Sequence, residues 1–488
     1  MPAPRPLPLL LIACVASCTA DKGVHFYDGL DSGAESAPPE SGPTDSEPGP
    51  DGDSGGPQGQ VTEEELGDSD AAYNPVAVLF IDAYGAIGDG DKTDGWLTVV
   101  REHDGTLDDI EHAPVVYEGP IGIEIHGASS SADPKHNYRM ELRDATGADY
   151  DYPLLGLGSD SDYVLHASYG DKSYLRNPFI YSLGRAIGDE TGEWQPGVAF
   201  AEVYLNGRYW GLYAVIERQK RDAQRIDIPE PAAGVDLGDI TGGYIFKVDY
   251  DRGLYFRTAA GTLLEYGDPR HDEISAAQDA YVKAWWDSFE SMLNSASWSD
   301  PDAGYPAWID QESWLDYFLL NELAHNVDAY RLSTYVYKDV DAEGGRLHAG
   351  PIWDFDRAFG NVNYCECYNT GGWIFDDLAA CGASYQYPLW WQKVWSDPAF
   401  QDALRCRWET LRAGPLSEAE ITERMADLAE PLGDAVDRDQ LVWGTLGVNV
   451  GFNYFVGETW EEELDWLREW TLTRADWLDR NLSGTCAD

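Results

Sequence analysis

The strongest fold signal lies at residues 202–217, which read EVYLNGRYWGLYAVIE. Aromatic and β-branched residues fill both halves of this segment, and Asn206 and Gly207 stand between them. An Asn-Gly pair between two such runs is typical of a type I′ turn, because both residues tolerate a positive φ. The segment therefore predicts a β-hairpin with a two-residue loop.

Strand patterns dominate the sequence that precedes this hairpin. Residues 77–81 form an apolar run typical of a buried strand, and residues 122–125 and 138–142 alternate on either side of a small-residue loop. Residues 173–187 instead carry apolar side chains at helical spacing and predict an amphipathic helix. The first half of the folded chain is expected to be a sheet with one or two helices.

The apolar period changes to 3.6 residues in the second half. Five segments there predict helices, several with Ser, Asp or Thr as the N-cap: residues 274–293, 311–324, 400–411, 417–428 and 460–482. The fold class is therefore α+β, with a strand-rich lobe at residues 73–260 and a helical lobe at residues 261–488. This is the outline of a two-lobe, protein-kinase-like fold, although many α+β proteins share it.

The N-terminus predicts export. Arg5 precedes an apolar run at residues 7–15 that is too short to span a bilayer, which is the pattern of a secretory signal. The letters VAS precede Cys18 and resemble the lipobox of bacterial lipoproteins, in which cleavage leaves the cysteine as the lipid-bearing first residue. Ordinary cleavage near Ala20 is the alternative. We expect a lipoprotein signal peptide at residues 1–18 and a protein anchored to the membrane, in the cell envelope or at the cell surface.

The acidic composition and net charge of the chain limit the classes of binding partner that we expect. Residues 19–72 are rich in Asp, Glu, Ser, Gly and Pro, and cannot bury enough apolar surface to fold, so they predict a disordered acidic tether. The chain carries a formal net charge of −54 and has no basic stripe, so nucleic acid is not expected as a partner. The acidic surface is expected to be mainly solvated, with calcium or a basic polypeptide as less favoured partners.

Five cysteines lie in the C-terminal quarter: Cys365, Cys367, Cys381, Cys406 and Cys486. In an oxidising compartment they would form two disulfides and leave one thiol. Zinc binding by the first three is the alternative, but their spacing is not a standard zinc pattern and no His lies within the cluster.

Three carboxylates fall on loops within residues 321–361. A predicted helix ends shortly before Asp328, a β-rich run follows at residues 334–337, and Asp354 and Asp356 come after it. In phosphoryl transfer one carboxylate orients or deprotonates a hydroxyl, and another holds Mg²⁺ against the nucleotide phosphates. A single loop Asp is more often a turn or cap residue. Two carboxylates in this order, separated by a strand pair, favour a phosphotransferase site.

Several blocks resemble the CotH (spore coat protein H) family of atypical protein kinases. Residues 353–360, WDFDRAFG, are similar to its WDxDxxxG block, residues 326–328 to its catalytic loop, and residues 202–217 to its central hairpin. The loop at residues 127–130 resembles its small-residue loop, although His126 stands where the family commonly has Arg. Shorter matches lie at residues 175–177 and 243–247.

The resemblance implies roles for the three carboxylates. Asp328 would be the catalytic-loop base, Asp354 the metal-holding aspartate, and Asp356 a second ligand or a loop-fixing group. The family commonly places Asn five residues after the base, where this chain has Ser333, a weaker ligand for a hard metal. Ser333 or Asn361 would then take that place, one metal would suffice, or the protein would bind nucleotide without efficient turnover.

The resemblance also implies a nucleotide site for ATP with Mg²⁺ or Mn²⁺. Backbone N–H groups of a loop would cover the phosphates, a lysine would contact one of them, and a glutamate would orient that lysine. The candidate loop residues are Gly127, Ser129 and Ser130, the candidate lysines are Lys247 and its rival Lys135, and the candidate glutamate is Glu217.

Three functions remain open from the sequence. The leading one is an exported kinase that transfers the γ-phosphoryl group of ATP to Ser or Thr of an extracytoplasmic protein. The second is a catalytically silent CotH-like surface module for adhesion or for assembly of an outer layer. The third treats Asp354 and Asp356 as the DxD of a sugar-nucleotide transferase or a metal hydrolase, but lacks the βαβ pattern on which such sites usually lie.

Overall fold

The computed structural model describes residues 76–101, 113–128, 130–250 and 255–486. The predicted signal peptide with Cys18, the predicted tether and Ser129 lie outside the described residues.

Seven strands of the N-terminal part close into a barrel. They are β1 (Ala77–Ala83), β2 (Thr93–Val100), β3 (Val115–His126), β4 (Asn137–Leu142), β5 (Asp162–His166), β6 (Val198–Leu205) and β7 (Arg208–Glu217). The order around the barrel is β1-β2-β3-β4-β5-β7-β6, and the parallel pairing of β1 with β6 completes it. The sequence predicted a sheet here but not its closure.

The predicted hairpin at the centre of this part is confirmed. Leu205 pairs with Arg208, and Asn206 and Gly207 have φ angles of 50° and 75°, as a type I′ turn requires. Alternation along β7 divides its side chains between two cores. Tyr213 and Val215 belong to the core inside the barrel, whereas Leu212, Ala214 and Ile216 belong to the core shared with the helices.

A second, antiparallel sheet contains β8 (Tyr244–Val248), β9 (Tyr255–Arg257), β10 (Leu263–Asp268), β11 (Thr334–Lys338) and β12 (Leu347–Ala349). Its order is β12-β11-β8-β10-β9. This sheet joins strands from both sides of residue 260, so strands also occur in the part that was expected to be helical. The α+β class, with strands concentrated first and helices later, is confirmed.

The described residues contain α1 (Arg176–Thr191), α2 (Ala276–Leu293), α3 (Gln311–Ala324), α4 (Ile374–Cys381), α5 (Leu389–Trp395), α6 (Pro398–Arg412), α7 (Glu418–Ala429), α8 (Gly433–Trp443) and α9 (Trp460–Asn481). The six predicted helices are confirmed to within a few residues at each end. The N-cap predictions hold as well: Ser275 forms a capping box with Gln278, and the carboxylate of Asp310 accepts a hydrogen bond from the Ser313 N–H.

Helix α3 runs through the larger core. Every residue from Ser313 to Ala324 is buried, and Trp314 at its start packs against Trp391. A helix that is buried on all sides is fixed by its surroundings, so its C-terminal end is a rigid support for the loop that follows. That loop carries Asp328.

The cysteine prediction is confirmed. Cys365 pairs with Cys381 and Cys406 with Cys486, and the remaining thiol, Cys367, is buried. Among the described residues, no helix combines the length and the apolarity needed to cross a bilayer.

Candidate active site

The three predicted carboxylates converge. Asp328, Asp354 and Asp356 line one cleft of about 1260 Å³. Helix α3 ends in a residue of left-handed conformation, His325 with φ 46°, after which the chain turns to Asp328. The antiparallel pair β11–β12 then returns the chain to the same side, and the loop after β12 supplies the other two carboxylates. The prediction that these loops meet is confirmed.

Helix α1 fixes the loop that contains Asp354. The Tyr181 hydroxyl accepts a hydrogen bond of 2.9 Å from the Asp354 N–H, and Asn177 Oδ1 accepts one of 2.6 Å from the Phe355 N–H. Asn177 and Tyr181 are four residues apart and so lie on one face of the helix. Their anchoring role was not predicted, although two hydrogen-bonding residues four positions apart on a predicted helix are visible in the sequence.

Burial raises the pKa of each carboxyl group to about 6. For Asp328, the charge of Arg331, whose Nη2 lies 2.6 Å from Oδ1, lowers the pKa, whereas the charge of Asp354 raises it further. For Asp354, the charge of Asp356 is the next largest cause of the raised pKa. For Asp356, the charge of Arg357 lowers the pKa and the charge of Asp328 raises it. Mutual repulsion of this kind fits a site that receives a divalent cation, because Mg²⁺ and Mn²⁺ take carboxylate oxygens as ligands.

Ser333 lies beside Asp354. Its hydroxyl donates a hydrogen bond of 3.0 Å to Asp354 Oδ2, and its backbone has φ 47°. Asn361, the other candidate for this place, lines the cleft but is engaged at both ends of its amide. Its Nδ2 donates to the carbonyl of Asp356 at 2.6 Å, and its Oδ1 accepts from Asn453 at 2.8 Å. Ser333 is therefore the better placed of the two to assist a metal at Asp354.

The two candidate lysines have different surroundings. Lys247, on β8, lines the cleft and forms an ion pair with Asp249. Burial would lower the pKa of Lys247, but Tyr335 and Asp249 raise it, so the side chain is a fixed positive charge. Its positive charge also lowers the pKa of Asp354.

Lys135 is 1 % exposed and is not among the residues that line the cleft. Its ammonium donates to Asp439 Oδ1 at 2.6 Å and to the Leu212 carbonyl at 2.7 Å, and lies 4.9 Å from the centre of the Tyr213 ring. These contacts tie the chain after β3 to α8 and to the barrel. Of the two lysines, Lys247 is the one in the cleft.

Glu217 is also engaged elsewhere. Its carboxylate accepts hydrogen bonds from the N–H groups of Gly158 at 2.5 Å and Gly197 at 2.6 Å. Alternation along β7 directs its side chain to the barrel side, with Tyr213 and Val215, while its neighbour Ile216 lines the cleft. Glu217 therefore holds two loops together, and the structure does not place it among the cleft residues.

The small-residue loop does reach the cleft. Gly127 and Ser130 line it, and Asn137 Nδ2 donates to Ser130 Oγ at 3.1 Å. Gly127 has φ 118°, and a Cβ atom there would lie 2.1 Å from Ser130 Oγ. Only glycine fits this backbone, which is the conformational freedom that a loop in close approach to a ligand needs.

Further cleft residues had no signal in the sequence. His166, at the end of β5, lines the cleft, and Asn177 bonds to its Nε2 at 3.2 Å. Burial lowers the pKa of His166, and the charge of Asp354 opposes this. The loop at residues 450–453, before α9, also lines the cleft, although it lies far beyond the blocks that carried the resemblance.

These features define an α+β protein with a barrel, a helical part and a cleft in which three carboxylates lie close together and which Lys247 also lines. The sequence matches the CotH kinase protein family over residues 123–478. The match covers most of the chain, so the protein belongs to this family. No curated protein matches the chain.

Proposed function

We propose that the protein is an atypical kinase that transfers the γ-phosphoryl group of ATP to Ser or Thr of another protein. The observation that carries this proposal is the convergence of Asp328, Asp354, Asp356 and Lys247 on one cleft in a member of the CotH family. Phosphoryl transfer depends mainly on positioning and charge neutralisation, and these groups are suited to both.

Asp328 is the proposed base. A pKa of about 6 leaves it ionised at neutral pH but close enough to that pH to accept a proton from a hydroxyl. The hydroxyl oxygen would form the new bond to the γ-phosphorus as the bond to the β-phosphate oxygen breaks, with ADP as the leaving group and the hydroxyl proton passing to Asp328. Arg331 holds the carboxylate in place through its bond to Oδ1.

Asp354 and Asp356 would hold Mg²⁺ or Mn²⁺, with Ser333 beside them. The cation would supply neutralisation of the phosphate charge when bound. Lys247 would contact a phosphate oxygen, and the N–H groups of the loop at Gly127 would cover the phosphates. We also propose that the barrel with its neighbouring strands and the helical part correspond to the two lobes of a kinase-like fold, since cleft residues come from both.

The proposed substrate is a protein outside the cytoplasm. Two disulfides, Cys365–Cys381 and Cys406–Cys486, support an oxidising compartment. The lipobox-like sequence before Cys18 supports a lipid anchor in the envelope, with the acidic segment that follows it as a tether.

One observation favours a second candidate, a catalytically silent surface module. Ser333 stands where the family commonly has Asn, and its hydroxyl is bonded to Asp354. A hydroxyl is a weaker ligand than an amide oxygen for a second metal, so nucleotide would bind but transfer would be slow.

Purified protein incubated with Mg²⁺ and γ-labelled ATP separates these candidates. The kinase predicts label on protein, and loss of that label in Asp354→Ala. A silent module predicts no label but an increase in melting temperature with Mg²⁺ and ATP. Absence of any nucleotide effect, in protein that is folded, contradicts both.

A further inference from the structure

A second group of metal-ligating side chains lies outside the cleft. Glu193, Asp310 and His348 each offer a ligand atom, and these atoms lie within 4.8 Å of one another. His348 Nδ1 and Glu193 Oε1 are 2.8 Å apart. None of the three residues lines the cleft that contains Asp354.

The three residues come from three different elements. Glu193 follows the last turn of α1, Asp310 is the N-cap of α3, and His348 lies on β12. Because these positions are far apart in the sequence, their convergence is a property of the fold and not of a local charge cluster.

Neighbouring groups hold the ligand atoms in place. The Tyr337 hydroxyl donates to Glu193 Oε2, and the Tyr337 ring stacks on His348 with centroids 4.6 Å apart and an interplanar angle of 8°. The Ser313 N–H donates to Asp310 Oδ1 at 2.9 Å. Metal ligands are commonly oriented by such a second layer of contacts.

The three residues are also accessible to a cation from the solvent. The side chains of His348 and Glu193 are 16 % and 17 % exposed. A cation can therefore enter, and water can complete its coordination, while most of the surface of each ligand is packed against protein.

We propose that Glu193, Asp310 and His348 form a structural site for a first-row divalent cation such as Zn²⁺. One imidazole nitrogen and two carboxylate oxygens, completed by water, are a ligand set that such cations accept. Two ligands at about 2.0 Å from a tetrahedral ion are roughly 3.3 Å apart, so His348 and Glu193 already have nearly the required spacing. Binding of the cation through Nδ1 of His348 would replace the hydrogen bond from this nitrogen to Glu193 and release its proton.

The three elements that carry the proposed ligands also support the carboxylates of the cleft. Helix α1 anchors the loop of Asp354, α3 leads to Asp328, and β12 leads to Asp354 six residues after His348. A cation at the proposed site would join the three elements behind the cleft. Gln195 Oε1, two residues from Glu193, already accepts a hydrogen bond of 3.0 Å from the Ile352 N–H on the same loop.

The test uses the full chain carrying Asp354→Asn, so that the cleft carboxylates compete less for the cation. This Asp354→Asn protein is the parent into which the other substitutions are introduced. It is dialysed against micromolar free Zn²⁺, bound zinc is measured by atomic emission, and the melting temperature is measured on the same sample. His348→Gln removes the imidazole ligand. Asp310→Asn removes a charged ligand but keeps the helix cap, because Asn and Asp cap helices about equally well. Asp397→Asn, at the N-cap of α6, is the matched control.

We expect about one zinc per parent chain and a higher melting temperature with zinc than without it. Both effects should be lost in His348→Gln and in Asp310→Asn and retained in Asp397→Asn. If the parent binds no zinc, or if either variant, when folded, binds as much as the parent, the three residues form only an ion pair and a helix cap, and the proposal is wrong. Far-ultraviolet circular dichroism of the zinc-free variants shows whether they are folded, and either folded variant is sufficient for the test.

Discussion

Replacement of Asp356 by Asn should make the protein more stable while it damages the cleft. The pKa of Asp356 is about 6, against an ordinary value of 3.8, because burial and the charge of Asp328 disfavour its ionised form. Roughly two pKa units correspond to about 3 kcal/mol of free energy of unfolding. Since the cleft is open to solvent on one side, we expect about 2 kcal/mol.

The sign of this effect depends on pH. A carboxyl group whose folded-state pKa is raised binds its proton more tightly in the folded protein, so stability falls as the pH rises from about 4 to about 6 and stays reduced above that range. Asn cannot ionise. The gain from Asp356→Asn should therefore be present at about pH 7.5 and should disappear at about pH 4.

Thermal unfolding at the two pH values, in the absence of metal, measures this directly. Asp437→Asn is the control, since Asp437 is exposed on α8 and the change removes the same formal charge. A lower melting temperature for Asp356→Asn than for the wild type at about pH 7.5, or an equal gain at both pH values, would refute the argument that repulsion and burial in the cleft are the cause.

Other predictions concern the cleft and its supports. If Asp328 is the base, the transfer rate measured across a pH series should fall as the pH drops through about 6, because its carboxylate is then protonated. Lys247→Ala should raise the KM for ATP and lower stability less than Lys135→Ala does, because the Lys247–Asp249 pair is more exposed than the Lys135–Asp439 pair, as measured by initial rates and chemical denaturation. Lys135→Ala should instead lower stability by about 3–5 kcal/mol in chemical denaturation, since it leaves the charge of Asp439 buried without its partner. Gly127→Ala should weaken ATP binding in calorimetry, because a Cβ atom clashes in this loop.

The sequence contained the local structure. The hairpin at residues 202–217 was predicted because Asn206 and Gly207 carry their turn chemistry with them. Helix α3 was predicted because its apolar residues follow the helical period and an N-cap residue type precedes it. Closure of the barrel was not, since it depends on the parallel pairing of β1 with β6, more than a hundred residues apart, and no local pattern specifies a distant partner.

In the candidate site, too, contacts between residues close in the sequence could be predicted and contacts between distant residues could not. Convergence of Asp328 and Asp354 could be predicted because a single strand pair lies between them. The choice between Lys135 and Lys247 could not, since it depends on Asp439, which is 304 residues from Lys135. The positions of His166 and of the loop at residues 450–453 in the cleft likewise depend on packing between distant parts of the chain.

Phosphoryl transfer in the cleft depends most directly on Asp328, the proposed base. The direct measurement is the rate at which Mg²⁺ and γ-labelled ATP label Ser or Thr in a peptide library, for the wild type, Asp328→Asn and Asp437→Asn. We predict labelling by the wild type and Asp437→Asn at equal rates, and a rate about 10²- to 10⁴-fold lower for folded Asp328→Asn. Labelling by Asp328→Asn at the wild-type rate would show that Asp328 is not the base and that the proposed mechanism is wrong.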